Sequence, residues 1–478
     1  MTDPDAPRVV LPGGLTTALG GPRGAFGRPG PRGVARLAPV VLLLGLPLLV
    51  ASLRQSACAA QGYEGQVPVW RMCASPMLAS VTDDGAGRGV LAYLSGDAPL
   101  DVPVVPGTVT TLLATLAPGA GLEQQRWVLV LWTLTVALLL AGLVVAVGTV
   151  RRHRAADPVA LALSPVLALT VLLSAELVPV ALATVAVRAW SRRRPGLAGA
   201  LAGVAVLGAR PAVLVLLALA LTPPDGLRHA RRRLLGSAAA TVVIVLGPLA
   251  ALDPDLVVYP LREWWAAGAG PGSPWFVPTL AEHPLGPSRA AVLSLLGLLL
   301  ATGLVLLLAA RGRRPATADL ALVGLLVALA TGVAYPVQTA VWLVPFVALA
   351  GVRWREHLLW AGAEVVHAVA LHAWLAAESD PAHGLPAGWY ATALVLRLLA
   401  LGRLGWVVWS GTAWSAAGWD ADGPGEGAPD GLGDGAGRPV PWTGCPPGPV
   451  DNSRAVWATM HTLLSRKDRD RHRPKEAG

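Results

Sequence analysis

The sequence is short of charge, and what charge it has is of an unusual kind. Acidic and basic residues together make up 14% of the 478 positions, about half the share of an ordinary soluble protein. There are two lysines, Lys467 and Lys475, one asparagine, Asn452, and one isoleucine, Ile244. With arginine, valine, leucine and alanine in their places, this reads as GC-rich coding and carries no functional signal. Cysteine is rare, at 3 residues, and no Cys-x-x-Cys or Cys/His cluster occurs, which argues against a structural zinc site. The motifs GxxxxGK[ST], GxSxG and HExxH are absent, so the sequence gives no sign of a P-loop NTPase, an α/β-hydrolase or a zincin.

Apolar residues are present in excess. With glycine counted, they reach roughly 64% of the chain, against about 45–50% in soluble proteins. A chain of this size could not hide so many aliphatic side chains in globular cores. The expected solvent is lipid. The net charge of +9 does not point to nucleic acid, because the arginines sit in short clusters between long Leu/Val/Ala runs. Positive charge so placed sets membrane orientation.

Those clusters define a topology. They are Arg23/Arg28/Arg32/Arg36, Arg151/Arg152/Arg154, Arg192/Arg193/Arg194, Arg228/Arg231/Arg232/Arg233, Arg311/Arg313/Arg314 and Arg353/Arg355. If each marks a cytoplasmic loop, the chain crosses the membrane an even number of times between neighbours. A spanning helix needs about 20 apolar residues. Leu37–Leu53 pairs with Trp127–Val150, Leu234–Leu252 with Ser288–Leu308, and Trp354–Ala376 with Gly388–Ser410. Three further intervals, Ala155–Ser191, Pro195–Leu227 and Pro315–Val352, are too long for one helix. Each is interrupted near its middle, at Glu176 with Pro179, Arg210 with Pro211, and Tyr335 with Pro336. Proline breaks helices, so each predicts a hairpin of two short helices turning near the outer face.

The expectation is an all-α, polytopic helix bundle of about twelve crossings, some short or broken, with both termini cytoplasmic. Residues 1–36 form a Gly/Pro-rich tail expected to be disordered, 37–410 the membrane domain, and 411–478 a second tail. Within that tail, 454–473 is a basic amphipathic segment that could lie on an anionic leaflet or simply be solvated. The outer loops, about 54–126, 253–287 and 377–387, hold with their edges twelve acids against six arginines. Leu37–Leu53 is longer than the apolar core of a signal peptide and contains Pro39 and Pro47, so an uncleaved first span is the better reading.

Cys58 and Cys73 both fall in the first outer loop, an oxidising location, where a disulfide is plausible. Cys445 is expected to be a free thiol. Asp83, Asp84 and Asp101 lie in the same loop, ahead of a short apolar segment, Thr108–Leu116, placed at the outer membrane surface. A carboxylate there could deprotonate an acceptor hydroxyl, although loop acids are more often solvated surface. Ionisable residues inside the membrane invite a functional reading. Arg210 could hold a phosphate or pair with Glu176. Glu364 and His367, at i and i+3 on one helix, are half of a di-metal pattern; without a second copy they read as a buried hydrogen-bonded pair. Arg188, Arg397 and Arg403 are expected to snorkel towards helix ends. Trp264, Trp265, Trp275 and Phe276 form an aromatic group, either an interfacial belt or a platform for a sugar ring. No cofactor or metal is implied, and no inverted repeat of broken helices suggests a transporter.

The order of several short motifs resembles that of actinobacterial membrane proteins of glycosyltransferase family 87, in the GT-C superfamily. The motifs are Met72-Cys73-Ala74-Ser75, Asp101-Val102-Pro103-Val104-Val105-Pro106-Gly107, Ala189-Trp190-Ser191-Arg192-Arg193-Arg194-Pro195, Tyr335-Pro336-Val337-Gln338 ahead of Val341-Trp342-Leu343-Val344-Pro345, and Trp354 to Trp360 ahead of Glu364-Val365. The resemblance implies transfer of a hexose, often mannose, from a polyprenyl-phosphate donor to a lipid or glycan outside the cell. An acid of the first outer loop would be the catalytic residue. Asp101, Arg210 and Glu364 match the family in kind, with Asp83 and Asp84 as substitutes. Pro76 stands where the relatives carry Asp. The alternative is a catalytically degenerate envelope protein that binds a lipid or protein partner.

Overall fold

The computed structural model describes residues 36–82, 85–97, 100, 102–150, 156–224, 229–311, 315–377, 379–380 and 382–415. Both tails fall outside this set, including the basic segment 454–473 and Cys445, as do Asp83, Asp84 and Asp101. Among the described residues the structure is helical, with no strand. The architecture is that of a multi-pass membrane protein.

Among the described residues six helices are long and apolar enough to cross a membrane: α1 (Ala38–Gln61), α3 (Leu122–Val150), α8 (Ala230–Leu252), α10 (Pro287–Ala310), α13 (Trp354–Ala377) and α14 (Ala387–Ser415). α1 continues past Leu53, so Arg54 and Gln55 belong to the helix and not to the outer loop. Between the long helices run shorter apolar ones: α2 (Val104–Leu116), α4 (Asp157–Thr170), α5 (Leu177–Ser191), α6 (Pro195–Gly208), α7 (Ala212–Leu221), α11 (Thr317–Ala330) and α12 (Val337–Ala350). The hairpins α4–α5, α6–α7 and α11–α12 turn at the interruptions read from the sequence. Proline opens several helices, as at Pro195, Pro254 and Pro287, where its missing N–H has no intrahelical partner to lose. One more helix, α9 (Pro254–Ala266), follows α8 and is capped by Asp253, which accepts the Asp255 amide at 3.0 Å.

The long helices keep apolar side chains on their outer surface. On α1, Leu42, Leu46, Leu49 and Leu53 are exposed and share one face; α10 exposes Leu295, Leu296, Leu299 and Leu300. Such surfaces are stable only against lipid. Within the bundle, small residues bring backbones together. A Cβ on Gly199 of α6 would collide with the Leu234 carbonyl of α8, and one on Gly203 would stand 2.8 Å from the Ala238 carbonyl. This is close small-residue packing of the kind that joins membrane helices, where no hydrophobic force favours helix over lipid.

Hydrogen bonds tie helix ends into two sets. Where the arginines gather, Arg36 donates to the Gly148 carbonyl at 3.0 Å, Arg188 to Thr149 Oγ1 at 2.8 Å, and Trp190 Nε1 to the Thr222 carbonyl at 2.7 Å. Arg403 forks onto Glu356 at 2.7 and 2.9 Å. Arg403 is half-exposed, yet it lies well inside α14 and not at the helix end where it was expected. In the other set, Ser75 donates to the Leu173 carbonyl at 2.8 Å, Ser273 to Gly332 at 2.7 Å and Trp275 Nε1 to Thr331 at 2.9 Å. The loops after α1 and α9 are thereby fastened to the hairpin turns.

Candidate functional site

The first loop is held rigidly on both sides of its acids. Cys58 and Cys73 form a disulfide, with Cα atoms 5.9 Å apart. Two residues on, Ser75 caps the short helix Pro76–Ala79 and anchors to the turn that precedes Glu176. Gln124 and Gln125 of α3 reach back to the carbonyls of Gly87, Ala114 and Val81. Tyr93 is buried against Gly107 of α2, where a Cβ would strike its hydroxyl. That burial pushes the Tyr93 phenol up to about 12. The loop is therefore a folded cap and not a loose tether.

α2 carries the loop's last residues to the hairpin turns. A Cβ on Gly208 would stand 2.7 Å from Pro179 and 3.4 Å from Val105. Val105 comes four residues after Asp101, Pro179 three after Glu176, and Gly208 two before Arg210. Three segments that the sequence singled out separately thus meet in one place. Glu176, at the start of α5, accepts a hydrogen bond from Thr339 of α12 through Oε1 at 3.1 Å, while its Oε2 is buried. Trp342 is wholly buried, and its indole N–H lies beside the Glu176 carboxylate. Arg210 acts on Glu176 electrostatically, but no direct ion pair forms between them. Its guanidinium lies 5.4 Å from the Trp264 ring centroid and is solvent-accessible. The turn cluster offers an accessible guanidinium and an aromatic face beside a buried carboxylate within one small region, which is chemistry suited to a hydroxylated, phosphorylated ligand.

A second polar cluster lies deeper. Glu364 of α13 and Arg397 of α14 form an ion pair at 2.8 Å, with side chains 1% and 0% exposed. Glu364 Oε1 accepts from the Tyr335 hydroxyl and from Trp360 Nε1, both at 3.1 Å, and Arg397 also donates to the Tyr335 carbonyl at 2.6 Å. The guanidinium stacks 3.6 Å from the Tyr335 ring centroid. Arg397 therefore does not snorkel. It sits at mid-helix, too far from either end to reach water, and a buried guanidinium is stable only with a carboxylate and further acceptors. Glu364 and His367 are both buried, but not as a mutual pair: His367 Nε2 lies 3.4 Å from the Tyr390 hydroxyl, which itself accepts the Gly272 amide at 3.1 Å. Among the described residues no group of three or more His, Cys, Asp or Glu side chains could hold a metal.

The aromatic group of the second loop divides. Trp264 and Trp265 remain together at 6.0 Å and Trp264 faces Arg210, whereas Phe276 packs at 5.6 Å on Trp374 and 6.4 Å on Tyr390. Nothing in the residue pattern signals Thr339. Tyr335 stood out only as a hairpin break. Arg397 could have been found by charge balance, since an arginine at the middle of an apolar helix requires an acid on a neighbouring helix, and Glu364 is such an acid. Neither the models of known protein families nor the curated proteins compared with the chain give a match.

Proposed function

We propose that the chain is a membrane glycosyltransferase of the family 87 type, moving a hexose, mannose in kind, from a polyprenyl-phosphate donor to a lipid or glycan acceptor at the outer face of the cytoplasmic membrane. About twelve crossings, with each short hairpin passing in and out, leave both termini cytoplasmic. The observation that carries this reading is the meeting of three segments: the residues following Asp101, the Glu176 turn and the Arg210 turn, gathered at the end of the bundle away from the arginine clusters.

The division of labour follows from charge. Asp101, or the Asp83/Asp84 pair, takes the proton from the acceptor hydroxyl, whose oxygen bonds to the anomeric carbon as that carbon's bond to the phosphate oxygen breaks. Polyprenyl phosphate leaves with the bonding electrons, and Arg210 offsets its charge. Glu176 lies beneath this surface, where its charge holds Arg210 in place, and Trp264 provides a flat face beside Arg210 for the sugar ring. Glu364 takes no part, because three hydrogen bonds and its ion pair with Arg397 already occupy its oxygens.

The test is transfer from labelled polyprenyl-phosphate mannose in membranes containing the chain. Asp101→Asn, and Asp83→Asn with Asp84→Asn, should between them reduce transfer by at least about a hundredfold, the lower range for loss of a general base. Arg210→Ala should weaken donor binding. Donor binding without turnover in the unaltered chain would favour the alternative, a non-catalytic lipid-binding protein of the envelope.

A further inference from the structure

A cavity of about 300 Å³ opens at the turn between α5 and α6, lined by Val185, Arg188, Ala189, Arg192, Arg194 and Leu197. It lies at the arginine-rich end of the bundle, opposite the cluster of Glu176 and Arg210. Half of its lining residues are arginines, and no acid is among them. Arg188 spends its Nε on a neutral hydroxyl, Thr149 Oγ1, at 2.8 Å. Arg188 in the last turn of α5 and Arg192, its C-cap, both line the cavity. Arg193 has φ of 58°, and this reversal delivers Arg194 as the N-cap of α6. α6 runs for 14 residues from Pro195, so its positive end also points to the turn. The rest of the wall is apolar: Leu197 is 48% exposed, beside Val185 and Ala189.

We infer that this cavity binds the phosphate of an anionic glycerophospholipid. Guanidinium groups fork onto phosphate oxygens, and basic pockets between membrane helices take lipid headgroups. The exposed Leu197 and the half-buried Val185 give the acyl chains a surface that a free phosphate would not need. The site is separate from the proposed transfer chemistry and does not depend on it.

The experiment measures binding of labelled phosphatidylglycerol to the full chain in neutral detergent, with phosphatidylcholine and inorganic phosphate as competitors. Arg192→Ala with Arg194→Ala should lower affinity for phosphatidylglycerol by about thirtyfold, from roughly fivefold per arginine. Both side chains are exposed, and an unchanged melting midpoint checks that the fold is intact. Arg232→Ala with Arg233→Ala, exposed arginines on α8, should change affinity less than threefold. Leu197→Ser should weaken the lipid and leave inorganic phosphate unaffected. The proposal is overturned if the Arg192/Arg194 variant binds like the parent. It is equally overturned if both arginine pairs lose affinity alike, which would mean a diffuse basic surface. If inorganic phosphate displaces the lipid at equal concentration and Leu197→Ser changes nothing, the ligand is free phosphate and the lipid assignment fails.

Discussion

Glu364 and Glu176 are both held by the short segment from Tyr335 to Trp342, and they end in opposite states. Glu364 receives hydrogen bonds from Tyr335, Trp360 and Arg397 Nε, and Arg397 completes an ion pair with it. Glu176 receives Thr339, has the Trp342 indole beside it, and has no ion pair. A carboxylate with all its acceptor sites filled fixes helices in place and has nothing left for a ligand. One buried without an ion pair is less fully compensated, a cost that fits a functional site better than a structural one.

The comparison breaks first at Arg397. Arg397→Leu leaves Glu364 buried without its partner and should cost about 3–5 kcal/mol, read as a fall in the midpoint of SDS-driven unfolding. A loss below about 1 kcal/mol would mean that the pair is not what joins α13 to α14. The disulfide is next in size. Cys58→Ser with Cys73→Ser opens a loop of 15 residues and should cost about 3 kcal/mol, seen as the same stability lost from the parent on reduction.

Gly272→Ala sharpens the contrast from the backbone side. Gly272 has φ of 82°, and a Cβ there would meet the Tyr335 carbonyl and come within 2.6 Å of Arg397 Nη1. The strain should cost about 1–3 kcal/mol and should shrink in the Arg397→Leu background, a coupling that a double-mutant cycle measures. Glu176→Gln is expected to give the smallest change in stability, under about 1 kcal/mol, because it removes an uncompensated charge and retains an acceptor for Thr339. Its effect should fall on ligand binding instead. If stability drops as far as for Arg397→Leu, Glu176 is structural and the contrast disappears.

The hairpins were readable because proline and isolated charge are conspicuous in an apolar run: Glu176, Arg210 and Tyr335 each marked a turn that the structure contains. The disulfide was readable from two cysteines assigned to the first outer loop, although Cys58 belongs to the last turn of α1 and only Cys73 to the loop. Arg397 was misread because its place on the helix was judged without its neighbour, and Glu364 was paired with His367 because both lie on one helix face. Helical periodicity reveals which residues share a face, but not which helix that face meets.

The chain's composition determined the solvent, the helical class and the places where helices break, since lipid leaves the backbone no other partners than its own. Only the tertiary structure decided which charges neutralise one another and which remain available. It brought Val105, Pro179 and Gly208 to one point across more than 100 residues of sequence, and joined Tyr335 of a hairpin turn to Glu364 and Arg397 of two helices. Those outcomes rest on how faces pack at the distance of a hydrogen bond, and the hydropathy pattern contains no term for that distance.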